Sequence, residues 1–339
     1  MGTFEHADLK AEPGSSGHGV LGEVLLAAGE RIAVPFIVVN GVADGPTVVV
    51  IAASHGNEIV GTGAAIAFAR ALKPAQLHGT VVVVPAANPP AVSACTYLSP
   101  IDGVNMSGPL YWDADASGST SQQLGAIVGS VLKRADIVID VHGNNEPCAP
   151  MSMMFLENAR DEATREATIA LAEAFGVTPV DMSAPTAHPA WLGSSDVYPV
   201  PTALAHGIPG LMVELTGART LDDAPRGRSG LMSVLGSLGM LPGQEVGYKD
   251  PQRLAGNFGY WGALSTDVAG LLWVRHPAGV PFTKGTVLVE VTDTYGEVLR
   301  EIRSPVDGFC WWYPGAPYGQ ATHAVPAGST VALLAEVRN

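Results

Sequence analysis

The sequence predicts an α/β fold: a mixed, mostly parallel sheet with helices on both faces, plus a small C-terminal all-β domain. Three observations predict it. Runs of β-branched residues with no polar alternation, such as "TVVVIAA", mark strands buried on both faces. These runs alternate with stretches of helical spacing, the order that builds a largely parallel layer. Beyond about residue 250 the helix signals stop, and short strands separated by turns take over.

Taken in order, residues 1–18 read as a flexible lead-in, 19–248 as the α/β domain and 249–339 as the small β domain. "HGVLGEVLLAAGERIAVPFIVVNG" gives two early strands with a turn at "AGE". "PTVVVIAAS" is a buried strand, and "NEIVGTGAAIAFARALK" after it has helical spacing with a basic last turn. "GTVVVVPAAN" is a second buried strand, "SQQLGAIVGSVLKRA" a helix and "DIVIDVHG" a third strand. An amphipathic helix follows in "ARDEATREATIALAEAFGV". "PTALAHGIPGLMVELTG" runs from a helix end into a fourth buried strand, and "GRSGLMSVLGSLGML" is another helix. The last part reads as short strands: "GLLWVRH", "TVLVEVTD", "EVLREIRSP", "GFCWWYP" and "STVALLAEV".

In such sheets ligands bind beyond the carboxyl ends of the strands. His55, Asn88, His142 and Glu214 all fall at those ends. His55 and Glu58, in "SHGNE", have HxxE spacing on a loop that enters a helix, and a three-residue step sets both side chains on one side. A hydrolytic metal ion takes three protein ligands and keeps one position open. His142 in "DVHG" is the expected third ligand. Asp140 lies two residues before it on the strand, so it shares its face and can orient it. Glu214 ends an apolar strand, where a carboxylate is costly unless paired or functional, and it is the expected general base. The donor set His₂Glu points to Zn²⁺, one per chain.

Composition limits the partners. The chain has 339 residues, with 18 Lys+Arg against 32 Asp+Glu and a formal net charge of −14. That surface repels nucleic acid and anionic membranes, and a small-molecule substrate, neutral or cationic, fits it better. Three widely spaced cysteines and no CxxC pair argue against a disulfide scaffold and for a reducing, cytoplasmic setting. The acidic, polar N-terminus is not a signal peptide, and no unbroken apolar run reaches membrane-spanning length. Exposed edges of the β domain allow a homo-oligomer.

The pieces "SHGNEIVG", "AANPPA", "SPIDGVN", "ADIVIDVHG", "GIPGLMVELTG" and "TDTYGEVLREIRSPVDGFC" carry a resemblance. Together they resemble the succinylglutamate desuccinylase/aspartoacylase family, a branch of the zinc carboxypeptidase-like fold, over roughly residues 20–335. The resemblance implies that His55, Glu58 and His142 are zinc ligands, that Glu214 is the general base and acid, and that the β domain caps the active site. It also exposes departures. Family members carry an arginine before "YSP" and the run "DGLNLNR". Aligned on "SPIDG", the first arginine falls on Tyr97, and the Asn-Arg pair falls on Ser107 and Gly108. In the family that pair grips a substrate carboxylate, and the first arginine helps polarise the scissile carbonyl. A bidentate arginine clamp has no equivalent in glycine.

The sequence therefore predicts a zinc-dependent amidohydrolase that cleaves the C–N bond of a small N-acyl amine lacking the usual carboxylate. Glu214 is the proton carrier. Tyr97 and Arg219 are expected to help stabilise the oxyanion. Asn88, Ser107, Asn144 and the insert residues Tyr111, Trp112 and Asp113 are expected to line the substrate pocket, the aromatics by stacking and the acid by meeting an amine. A metallocarboxypeptidase and a metal-retaining binding protein without catalysis are the rival readings.

Overall fold

The structure, a computed structural model, describes residues 2–6, 9–106, 108–183, 199–242, 247–314 and 324–338. The strands run β1 (Phe4–His6), β2 (Leu9–Ala11), β3 (Ser15–Leu25), β4 (Arg31–Asn40), β5 (Ala43–Ala52), β6 (His78–Val84), β7 (Ile137–Asn144), β8 (Met151–Met154), β9 (Thr178–Asp181) and β10 (Gly210–Thr216). Eight more follow: β11 (Asn257–Ser265), β12 (Gly270–Val274), β13 (Pro281–Phe282), β14 (Val287–Thr292), β15 (Val298–Arg303), β16 (Gly308–Trp312), β17 (Ala324–Val325) and β18 (Thr330–Arg338). The helices are α1 (Ile59–Ala71), α2 (Pro89–Ala94), α3 (Thr120–Leu132), α4 (Glu162–Phe175), α5 (Pro199–Ala205) and α6 (Ala224–Ser237).

One twelve-stranded sheet organises the chain, in the order β13-β16-β18-β11-β9-β8-β10-β7-β5-β6-β4-β3. Its centre, β10-β7-β5-β6, is parallel. Towards one edge β4 and β3 pair antiparallel, because a short turn joins them. Towards the other, β8 pairs antiparallel with β10, and β16, β18 and β11 form an antiparallel run. A separate antiparallel sheet, β15-β14-β12-β17, completes the C-terminal part.

The period-two alternation of the central strands sorts the core into two layers. Ile51, Val82, Val84, Val138 and Met212 pack with α3 and α5 on one face. Val50, Val83, Ile139, Val141 and Val213 pack with α1, α4 and α6 on the other. Helix boundaries follow local chemistry. Ser119 and Gln122 form a reciprocal capping box at α3. Asp161 caps α4, and Gly176, at φ +89°, ends it.

One expectation needs correction. Residues 1–18 are not a flexible lead-in where described. β1 and β2 form a hairpin whose Phe4 and Ala11 are buried, and Asn40 donates from Nδ2 to the carbonyls of Gly2 and Ala11. Three-residue strands give too little alternation to be read from sequence. The expected C-terminal antiparallel sheet domain is present, and its strands β11, β13, β16 and β18 also continue the large sheet, joined through β9 at Gly259 and Asp181. β8 and β9, which the sequence reading passed over, make that continuity.

Candidate active site

His55, Glu58, His142 and Glu214 converge at the carboxyl ends of β5, β7 and β10. The chain leaves β5 through Ala53, held at φ +53°, a left-handed backbone that is costly for alanine and makes the sharp exit. Gly56 follows because nothing larger fits: a Cβ there would sit 1.8 Å from the backbone carbon of Ala91 in α2. Asn88 fixes the other side of this turn. It caps α2 by accepting from Ala91 N, and it donates from Nδ2 to Ser54 O. Glu58 then occupies the N-cap position of α1 without using its side chain as a cap, so the carboxylate is free to face the strands.

The carboxylate bridges both imidazoles. Glu58 Oε1 lies 2.9 Å from His55 Nδ1, and Oε2 lies 2.8 Å from His142 Nδ1. Gly143 N also donates to Oε2. Both rings are held from behind through Nε2: that of His142 by Asp140 Oδ2 at 2.9 Å, and that of His55 by Asn105 Oδ1 at 2.9 Å. Tyr97 stacks flat on His55, with centroids 3.7 Å apart.

The donor set fits a metal ion. The three donor atoms lie within 4.8 Å of one another in a buried cluster. Acceptors at both Nε2 atoms set the Nε2–H tautomer, which turns the Nδ1 lone pairs of both rings towards Glu58, the arrangement metal-bound histidines need. The His55 and His142 charges hold the Glu58 carboxyl down at about 2 against its burial. His142 is held well above the usual imidazole range by Asp140 and Glu58, again against burial. Asp140 Oδ1 remains a buried oxygen without a hydrogen-bond partner.

Glu214 is directly opposite His142 in the β10–β7 register. It is 8% exposed, and Asn144 donates from Nδ2 to its Oε2 at 2.9 Å. Burial, with the nearby Glu58 and Asp140 charges, pushes its carboxyl up to about 8, although the His142 charge opposes the shift. A carboxyl with raised affinity for a proton beside two clustered imidazoles can accept and return one near neutral pH.

Other expected site residues fall elsewhere. Tyr111 and Trp112 do not offer open stacking faces. Tyr111 is fully buried, with its hydroxyl shared between Ser54 Oγ and Met106 O. Trp112 donates to Pro199 O and stacks on His206. Their "LYW" run was apolar enough to be core, and the core took it. Asp113 is exposed on the following turn, and Asp115 is engaged by Ser117. Asn88, fully buried, braces the ligand turn with both ends of its amide rather than facing a pocket. Arg219 is exposed, beyond the end of β10. Ser107 lies outside the described residues. Asn105 is the residue the sequence reading missed. Its signal was present in "SPIDGVN", but nothing local tied it to His55, 50 residues away. The C-terminal strands reach the same region: Trp312 donates from Nε1 to Asn145 O, and Tyr313 N donates to Pro147 O.

Comparison with known proteins finds relatives of the same fold. The profile of the succinylglutamate desuccinylase/aspartoacylase catalytic domain matches residues 44–227. A curated relative, N-alpha-acetyl-L-2,4-diaminobutyric acid deacetylase of Halomonas elongata, is 24% identical over 90% of this chain and 86% of its own length. A crystal structure of a succinylglutamate desuccinylase/aspartoacylase from Rhodobacter sphaeroides superposes with a TM-score of 0.80 at 25% identity, covering 98% of this chain and 99% of that one. The product-bound ectoine utilization protein EutE (DoeB) of Ruegeria pomeroyi shares the fold, with a TM-score of 0.78 at 21% identity and 95% of both chains covered.

Proposed function

Because this chain belongs to the succinylglutamate desuccinylase/aspartoacylase family, whose members are deacylating hydrolases of C–N bonds, we propose that it is a zinc-dependent deacylase of a small N-acyl amine. The observation that carries this reading is the convergence of His55, Glu58 and His142 on one point, with Glu214 directly across the strand pair. His55, Glu58 and His142 would hold the zinc, which would supply Lewis acidity to an acyl carbonyl and to the attacking water.

The protein's own groups do the rest. Asp140 and Asn105 lock the two imidazoles, so the donors are in place before substrate arrives. Glu214 takes the proton of the attacking water and delivers it to the departing nitrogen, since an amine leaves poorly unless protonated. The low-dielectric surroundings that raise its proton affinity put its protonated and ionised forms both within reach near neutral pH. Tyr97, against His55, is the side chain we assign to the oxyanion side of the reaction. Tyr97 stands where the resemblance to the family pattern would set an arginine, and no guanidinium can come from Gly108. The favoured substrate is therefore a neutral or cationic N-acyl amine without a carboxylate to clamp.

The test is metal analysis of purified protein, with hydrolysis measured on the same sample. The substrate panel contains N-acyl amines with and without a carboxylate. The expected result is about one zinc per chain and turnover confined to carboxylate-free compounds. Activity on N-acyl amino acids would overturn the assignment of the substrate class. Failure to take up any metal would overturn the assignment of the site.

A further inference from the structure

Among the described residues, one side chain hydrogen-bonds Glu214: Asn144, through Nδ2 to Oε2 at 2.9 Å. Asn144 ends β7 two residues after His142, on the same face, and is diagonal to Glu214 across the β7–β10 pair. It is 8% exposed. Its backbone is fixed independently of its side chain, because its carbonyl accepts from Ala218 N and from Cys148 Sγ. A substitution at the side chain therefore leaves the strand end anchored.

We propose that Asn144 is the positioning residue for Glu214. Its amide occupies Oε2 and leaves Oε1 as the oxygen that exchanges the proton, fixing the carboxylate plane relative to His142. This rests on Glu214 being the proton carrier, and it reassigns Asn144 from contacting substrate to acting through the base. The identity of the residue matters. A neutral amide orients a carboxylate by one hydrogen bond, whereas a lysine or arginine there would neutralise it and suppress its basicity. An aspartate of the same shape would set a second acceptor oxygen against Oε2 and turn the carboxylate away.

The experiment is a double-mutant cycle on zinc-loaded protein with Asn144→Ala, Asn144→Asp and Glu214→Gln, reading kcat, KM, zinc content and Tm. With Glu214 present, Asn144→Ala is expected to lower kcat 10- to 100-fold, with KM within threefold and zinc content unchanged. Asn144→Asp, which is isosteric, is expected to lower it at least as far. In the Glu214→Gln background, Asn144→Ala is expected to change the residual rate less than threefold, because there is no base left to orient. An equal loss in both backgrounds, or a rise in KM with kcat unchanged, would overturn the proposal in favour of a direct substrate contact. A loss that tracks Tm or zinc content would reduce Asn144 to a structural role. If Asn144 variants retain wild-type kcat while Glu214→Gln does not, this inference alone fails. If Glu214→Gln is itself as active as wild type, the underlying reading fails with it.

Discussion

Replacing Glu214 with Gln separates chemistry from construction at this site. The two side chains have the same shape, and the Gln carbonyl can still accept the Asn144 Nδ2–H that now reaches Oε2 at 2.9 Å. Glu214 is not one of the three clustered donors, so metal occupancy should hold at one zinc per chain. Fold stability should not drop either, since the substitution removes an ionisable group from a site where burial already opposes its charge. What disappears is proton transfer, which contributes roughly 10²- to 10⁴-fold. At about 1.36 kcal/mol per decade, that corresponds to about 2.7–5.4 kcal/mol of transition-state stabilisation. The assay is kcat on the best panel substrate, beside zinc content and Tm of the same preparations. The expected outcome is a kcat lowered at least 100-fold with zinc and Tm preserved. A kcat within threefold of wild type would refute the role of Glu214, and loss of zinc together with activity would show that it is a ligand.

Further outcomes follow from the same geometry. Gly56→Ala must displace the ligand turn or α2, since its Cβ would lie 1.8 Å from Ala91 C. It should destabilise the protein by about 1–3 kcal/mol and weaken zinc, seen by thermal melts and a chelator competition. Asp140→Ala releases His142 Nε2 and should weaken zinc about 10- to 100-fold, measured by the same competition. In chelator-stripped protein, Glu214 binds its proton more tightly when folded, near 8, than unfolded, near 4.5. The stability this gives is complete below about pH 4.5 and is lost as pH rises through about 8. Glu214→Gln should therefore raise Tm over stripped wild type at pH 8.5 and leave it unchanged at pH 4.5; equal shifts at both would count against the buried carboxyl.

The sequence by itself determined the parallel centre of the sheet, and with it the strand ends that carry His55, His142 and Glu214. Unbroken β-branched runs have few other uses, and the HxxE and DxH spacings are local enough to state which side chains share a face. Tertiary structure decided the rest. Whether "LYW" meets substrate or solvent depends on what packs over it, and Tyr111 and Trp112 closed against Ser54, Met106 and Pro199. Asn105 reaches His55 across 50 residues, and Asn144 reaches Glu214 across 70, distances over which no periodicity carries information. The continuation of the large sheet into the C-terminal strands likewise rests on one parallel contact, Gly259 with Asp181, and on short strands whose partners only the folded chain selects. Local chemistry placed the ligands; long-range packing chose what orients them.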